Sequence, residues 1–367
     1  SYGFPESHAA SFAILVYISA WLKCRHPAIF ACALLNSQPM GFYAPAQIVR
    51  DAHEHGVEIR PVDVNHSFWD NTLERADNGA LALRLGFRQI GGLSEDEVTR
   101  LVAVRAKGFE TLESCAARAE LSTRSLKILA DADAFRSCRV LAPERPPLPP
   151  PCQEGENGGA RASRPEKAFD RRAALWATRR LPGTKLLPLF AAAGVEELGA
   201  EPDPELPDLR IGEQVVADYQ TLRLSLRVHP MRILRPLFAR ENFIRSSDLG
   251  ACSDGAWKKA AGLVIVRQRP GNGKMIFITL EDEAGIINVA LYSTLFERYR
   301  KPTMASRLMA VEGRIQKSWA GVVHLLARRV HDRSDELSRL SDGARGAPDR
   351  ARHPRNVRVI PKSRDFH

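Results

Sequence analysis

The sequence predicts an α+β multidomain chain in which an all-α N-terminal part is followed by a small closed β-barrel. Three observations carry this. Apolar residues recur at helical spacing through much of the first 137 positions. A stretch dense in Pro and Gly interrupts the chain at 138–168. From Lys258 to Asp332 the pattern changes to short β-branched runs separated by turn residues. The expected division is a helical segment at 1–79, short helices joined by tight turns at 80–137, and a disordered insertion at 138–168. A helical connector at 169–257, the barrel at 258–332 and an Arg-rich tail at 333–367, expected to be disordered, complete it.

Taken in order, Ser7 can cap a helix over 7–23, on which Ile14, Tyr17, Ile18 and Trp21 fall at i, i+3, i+4 and i+7. His26-Pro27 breaks it, and Pro27 suits the first turn of the next helix, through Ala28, Phe30, Ala33 and Leu34. A third helix is expected over 46–55, ending at Gly56, with an extended stretch at 58–65. Further helices are expected at 169–181 and 215–226. The strands are expected at 263–266, 275–280, 286–291, 308–313 and 322–326, with a short helix at 293–299 after the third. Three strands, a helix and two strands is the order of an OB-fold barrel.

A length of 367 residues suggests two to three domains at about 100–200 residues each. Charged residues at 26% and a longest apolar run, 9–22, broken by Ser11 and Ser19, argue against a membrane span. That run also lacks a basic flank and a cleavage site, so it does not read as a secretion signal. Cys24, Cys32, Cys115, Cys138, Cys152 and Cys252 are scattered without a CxxC, which signals neither a disulfide framework nor zinc and fits a reduced, cytoplasmic setting. The chain begins at Ser1 rather than Met, from which a trimmed product with missing upstream sequence is expected.

The net charge of +10 favours an acidic partner, with nucleic acid foremost. Residues 258–332 concentrate it, with 13 Lys and Arg against six acids. Single-strand binding needs cations along the backbone path and rings on which bases stack. Arg267, Arg269 and Lys274 flank the loop between the first two strands, and Lys317 and Trp319 lie between the last two, with Arg314 just before them. Phe277 either stacks a base on the outer face or packs inside the barrel. Gly91, Gly92 and Ser94, in Phe87-Arg88-Gln89-Ile90-Gly91-Gly92-Leu93-Ser94-Glu95, read as a helix-hairpin-helix turn whose N–H groups face a DNA phosphate, or as an ordinary helical hairpin. Residues 121–135 read as a second, degenerate unit.

Asp131-Ala132-Asp133 has the look of a two-metal pair, but i and i+2 on a helix point to different faces, so no metal is assigned there. No GxxxxGK[ST], HExxH, GxSxG or GxGxxG occurs. His8, following Ser7 at a helix start, is either a phosphate contact or a surface histidine beside the cap.

The stretch Tyr2-Gly3-Phe4-Pro5-Glu6-Ser7-His8-Ala9-Ala10-Ser11-Phe12-Ala13 resembles the fingers of bacterial polymerase III alpha subunits. Pro61-Val62-Asp63-Val64-Asn65 and Leu224-Ser225-Leu226-Arg227-Val228-His229-Pro230-Met231 are similar to two further segments of that C-family. Pro5-Glu6-Ser7-His8, Ala130-Asp131-Ala132-Asp133-Ala134-Phe135 and the ending Ser363-Arg364-Asp365-Phe366-His367 resemble its error-prone branch. The resemblance implies a C-terminal fragment of an error-prone DNA polymerase acting in translesion synthesis and mutagenesis. It implies that Ser7 and His8 contact the incoming dNTP, and that residues 80–137 and 258–332 hold single-stranded and primer-template DNA. Leu187, Leu189 and Phe190 are placed like a sliding-clamp peptide, or pack on the helix before them; other mutasome proteins are further expected partners. Polymerisation uses Mg²⁺ on palm carboxylates, which the resemblance places upstream of Ser1, so this segment is expected to bind no cofactor and to be inactive alone. A stand-alone single-stranded-DNA-binding accessory protein is the alternative, and a hairpin- and barrel-containing ligase a more distant one.

Overall fold

The computed structural model describes residues 6–41, 43–138, 170–181, 209–270, 273–318, 321–342 and 364–365. The chain divides into two compact units, one drawn from 1–38 and 49–209, the other from 39–48 and 210–367.

In the first unit, α1 (Glu6–Arg25) and α2 (Pro27–Asn36) meet at His26, with Pro27 at the first helical position. α1 is apolar around its circumference, and Phe12, Ile14, Leu15, Val16, Tyr17, Ile18 and Trp21 all stay exposed. After α3 (Pro45–Glu54) comes a small sheet whose first strand falls in the expected extended stretch at 58–65 and whose other two strands were not expected. β1 (Ile59–Arg60) runs parallel to β3 (Leu81–Arg84), and β2 (Thr72–Arg75) pairs antiparallel with β3. Glu74 on β2 accepts from Arg60 and Arg84, and these hydrogen bonds, that of Arg84 foremost, hold its carboxyl below the usual range.

A 3₁₀ turn (Phe87–Gln89), α4 (Glu95–Val104), α5 (Leu112–Ala119), α6 (Thr123–Asp131) and α7 (Arg171–Arg180) follow. The Pro-Val-Asp-Val-Asn segment ties this helical region to the sheet. Asp63 Oδ1 accepts from Asn65 N at 2.8 Å and Ser137 Oγ at 2.6 Å. Asn65 exchanges hydrogen bonds in both directions with the backbone of Phe109. The motif therefore works as a brace.

In the second unit, α8 (Ile211–Thr221) begins four residues earlier than the sequence predicts, and α9 (Pro230–Arg240) and α10 (Ser246–Leu249) follow. The Ser-Leu-Arg-Val-His-Pro-Met segment is again structural. Ser225 and Arg227 bind the buried Asp218, His229 Nδ1 accepts from Met231 N at 3.1 Å, and Met231 is fully buried.

The barrel consists of β4 (Trp257–Gln268), β5 (Met275–Glu281), β6 (Ile286–Tyr292), two short helices, α11 (Ser293–Arg298) and α12 (Arg300–Ala305), then β7 (Leu308–Lys317) and β8 (Val323–Asp332). The sheet order β5-β6-β8-β7-β4, closed by β4 against β5, makes a five-stranded barrel with only β6–β8 parallel within it. The long β4 reaches both β5 and β7 because it bulges between Val264 and Val266. Ile276, Ile278, Leu280, Val289, Leu291 and Val311 fill the interior. At Gly313, a Cβ would sit 2.2 Å from the Leu326 carbonyl, so the close approach of β8, which bulges at Arg328 beside this position, requires glycine.

The tail is ordered further than expected. A 3₁₀ turn (Ser334–Ser338) and α13 (Arg339–Asp342) bury Leu337 and Leu340 in the core beside β4 and β7, two apolar anchors that the surrounding charge conceals in the sequence. A two-residue strand, β9 (Arg364–Asp365), pairs parallel with β4.

Candidate nucleic-acid interface

Strand alternation and closure build one continuous outer face on the barrel. On β5 the even positions Ile276, Ile278 and Leu280 point inward, which turns Phe277 away from the barrel interior. Inter-strand register then carries a row from Phe277 to Ala290, Leu326, Arg314 and Trp257, strand by strand around the barrel. Trp257 is 47% exposed, and so to a similar degree is Tyr292, opposite Met275 at the end of β6. The His324 ring meets Phe277 edge-on at 6.1 Å. Arg314, opposite Trp257 in the register, is exposed, as are Lys274 before β5 and Arg328 on β8. Flat rings interleaved with cations are what an unpaired strand requires, because bases stack on the rings while phosphates follow the charges.

The loop cations fare unequally. Arg267 is not on a loop: it lies on β4, past the bulge that re-phases the strand, and is 1% exposed. Its guanidinium donates to the carbonyls of Thr303 and, at 2.6 Å, Ser306, capping the end of α12. The expectation that Arg267 contacts DNA is thereby corrected. Arg267→Ala should lower the thermal midpoint while leaving the salt dependence of DNA binding unchanged, a pairing that melting and titration check together. Arg269 is exposed, bonded to Gly273 O at 3.1 Å, with its guanidinium 5.8 Å from the Phe296 ring centroid. Lys317 is exposed but donates to Gly250 O at 2.8 Å, holding the end of β7 to α10. Trp319 lies outside the described residues.

The two hairpins differ. In the first, Gly91 and Gly92 are exposed, Gly92 adopts φ +87, and Ser94 caps α4 with no side-chain hydrogen bond, ahead of a first turn of Glu95, Asp96 and Glu97. Arg124 of α6 stands beside this turn, 3.9 Å from where a Gly92 Cβ would be. In the second, the start of α6 is occupied by the protein itself, since Glu97 of α4 accepts from Ser122 N at 3.3 Å and from Ser125 Oγ. Burial pushes the Glu97 carboxyl up, but these hydrogen bonds outweigh it and hold the group below its usual range. The start of α6 is thus engaged by Glu97, whereas the glycines of the first turn are exposed.

On α1, His8 is exposed and its ring lies 4.4 Å from that of Phe12; Ser7 lies in the first turn of the same helix. Leu187, Leu189 and Phe190 fall outside the described residues. Asp131 ends α6, whereas Asp133 sits at φ 59, is buried, and pairs with Arg136 Nε at 2.7 Å. No group of three or more His, Cys, Asp or Glu is placed to hold a metal ion among the described residues. No described helix is long and apolar enough to cross a membrane.

Trp257, Tyr292, His324 and Arg124 were not singled out by sequence reasoning. For Tyr292 and His324, alternation beside the buried Leu291 and Leu325 was an available signal, whereas Trp257 opens β4 next to half-buried Lys258. Arg124 has none, because only the packing of α6 brings it to Gly92.

Residues 56–142 match the helix-hairpin-helix motif family. Over its whole length the chain is 50% identical to a protein named error-prone DNA polymerase from Brucella abortus, of which it covers 32%. It is 48% identical over its whole length to one of the same name from Rhodopseudomonas palustris, covering 34% of it, and 44% identical to one from Bradyrhizobium sp., covering 37%. The chain spans about a third of the length of the curated relatives it matches, at their C-terminal end.

Proposed function

We propose that this chain, similar throughout to the C-terminal third of error-prone DNA polymerases, is the portion of such an enzyme that holds DNA. The observation that carries the reading is the outer barrel surface, which exposes Trp257 opposite Arg314, half-buried Phe277, and Tyr292, Lys274 and Arg328. The open first hairpin at Gly91–Ser94 adds a phosphate contact, and the family match over 56–142 supports it. The enzyme acts in translesion synthesis and mutagenesis, with primer-template DNA and a dNTP as its substrates. Ser7 and His8 contact the triphosphate. Mg²⁺ is held by carboxylates outside these 367 residues, so nucleotidyl transfer is not a property of this segment alone. A sliding clamp is engaged through Leu187, Leu189 and Phe190, alongside other mutasome proteins.

Titration of the chain with a fluorescent single-stranded oligonucleotide at several salt concentrations tests this reading. Binding should weaken steeply as salt rises, with a log–log slope of about −0.7 for each phosphate contacted. Primer extension by the same chain should be undetectable. Absence of binding at low salt would overturn the DNA-holding role, and measured extension would overturn the division of labour.

A further inference from the structure

A pocket lies far from the barrel in sequence, within the first unit. Asn65, His66, Phe68, Val102, Arg105 and Ala106 line a pocket of about 320 Å³. Arg105, the C-cap of α4, is 8% exposed, and its Nη2 is buried with no hydrogen-bond partner. Burial lowers its pKa, and Asp63, the acid whose charge it feels, already accepts from Asn65 and Ser137 and forms no ion pair with it within 4 Å among the described residues. A guanidinium withdrawn from water without a hydrogen-bonded counter-charge is costly. A buried polar atom left unpaired calls for an explanation, and an absent ligand is one.

The surroundings indicate which ligand. The Arg105 guanidinium stacks over the Phe68 ring at 4.8 Å, while Phe68 remains 49% exposed. His66 is exposed at the pocket rim. Asn65 is spent on Phe109 and Ser137, so it only shapes the wall. Ala106 takes a left-handed φ of 45, which turns the chain away from α4 at this point. One open aromatic face, one guanidinium whose buried Nη2 has no hydrogen-bond partner and one imidazole form a set suited to a planar ring joined to an anion.

We propose that this pocket holds one unpaired nucleotide of single-stranded DNA, with its base against Phe68 and its phosphate on Arg105 and His66. The inference rests on the DNA-holding role above and extends it to a site in the other unit. The hydrogen-bonding edge of the base is unread, so the site is indifferent to sequence.

The test uses the full chain and two fluorescent probes, a twelve-residue oligothymidylate and an abasic oligomer of the same length. Arg105→Gln should weaken oligothymidylate binding about tenfold and reduce the salt slope by about 0.7, one phosphate. Its thermal midpoint should stay level or rise, because an unpaired buried charge is removed. Phe68→Ala should weaken oligothymidylate about tenfold and leave the abasic oligomer unaffected, since a lost stacking partner costs about that much. Arg105→Lys should restore part of the slope. The proposal is overturned if both variants bind as the parent does. It is equally overturned if Arg105→Gln weakens binding only with a fall in midpoint, or if Phe68→Ala weakens both probes alike. Failure of the parent chain to bind either probe removes the DNA-holding role itself, whereas parental binding with indifferent variants removes only this pocket.

Discussion

Asp282→Ala is expected to cost about 3–5 kcal/mol of stability, the largest single effect in the second unit. Asp282 is fully buried in the turn between β5 and β6. It accepts from Ser246 N at 2.8 Å and Ser246 Oγ at 2.5 Å, from the backbone of Ala284 and Gly285, both at 2.9 Å, and from Arg235 Nη2 at 3.1 Å. Glu283 holds the same guanidinium through Nε and Nη2. Burial works against the charge on Arg235, yet Glu283 and Asp282 together raise its pKa. Removing Asp282 strips a buried cation of one partner and leaves the Ser246 hydroxyl and three backbone donors without their acceptor, the situation in which buried polar groups cost most. A midpoint lower by roughly 10 °C or more in a melting experiment is the expected readout. Asp282→Asn keeps one acceptor oxygen and should lose about half as much. An alanine variant melting within a degree or two of the parent would show that this turn does not hold α9 and α10 to the barrel.

Triple replacement of Trp257, Phe277 and Arg314 by alanine should weaken binding of a single-stranded oligonucleotide at least about a hundredfold, because each stacking ring contributes about 1–3 kcal/mol. The salt slope should fall by about 0.7 for the one guanidinium removed. Trp257 and Arg314 are exposed and Phe277 is half-buried on the outer face, so the barrel core of Ile276, Ile278 and Val311 is untouched and the midpoint should shift little. Affinity within twofold of the parent would place the DNA elsewhere.

The barrel was legible because it is local in character. Alternation on 275–280 and 286–291, a turn at 282–285 and a helix between the third and fourth strands all sit in contiguous sequence, and the structure has each of them. Arg267 was illegible because a one-residue bulge shifts the side-chain phase of β4, and no pattern in 257–268 announces it. The small sheet escaped notice because β1 finds its partner more than twenty residues away over only two positions. Leu337 and Leu340 read as strays in a charged tail until α8 and α13 are brought together, with the Leu340 carbonyl 2.1 Å from where a Gly212 Cβ would lie. In the candidate site, cations were easy to count but not to sort. Whether an arginine faces solvent, caps a helix or stacks beneath a ring depends on the packing around it, as Arg314, Arg267 and Arg105 illustrate.

Photocrosslinking of an iodouracil-bearing oligonucleotide to the chain, followed by peptide mapping, reads the DNA path without altering the protein. Adducts should fall on β4, β5, β6 and β8, at or beside Trp257, Phe277, Tyr292 and His324. Adducts found only outside 257–332 would contradict the assignment of the barrel as the surface that grips DNA.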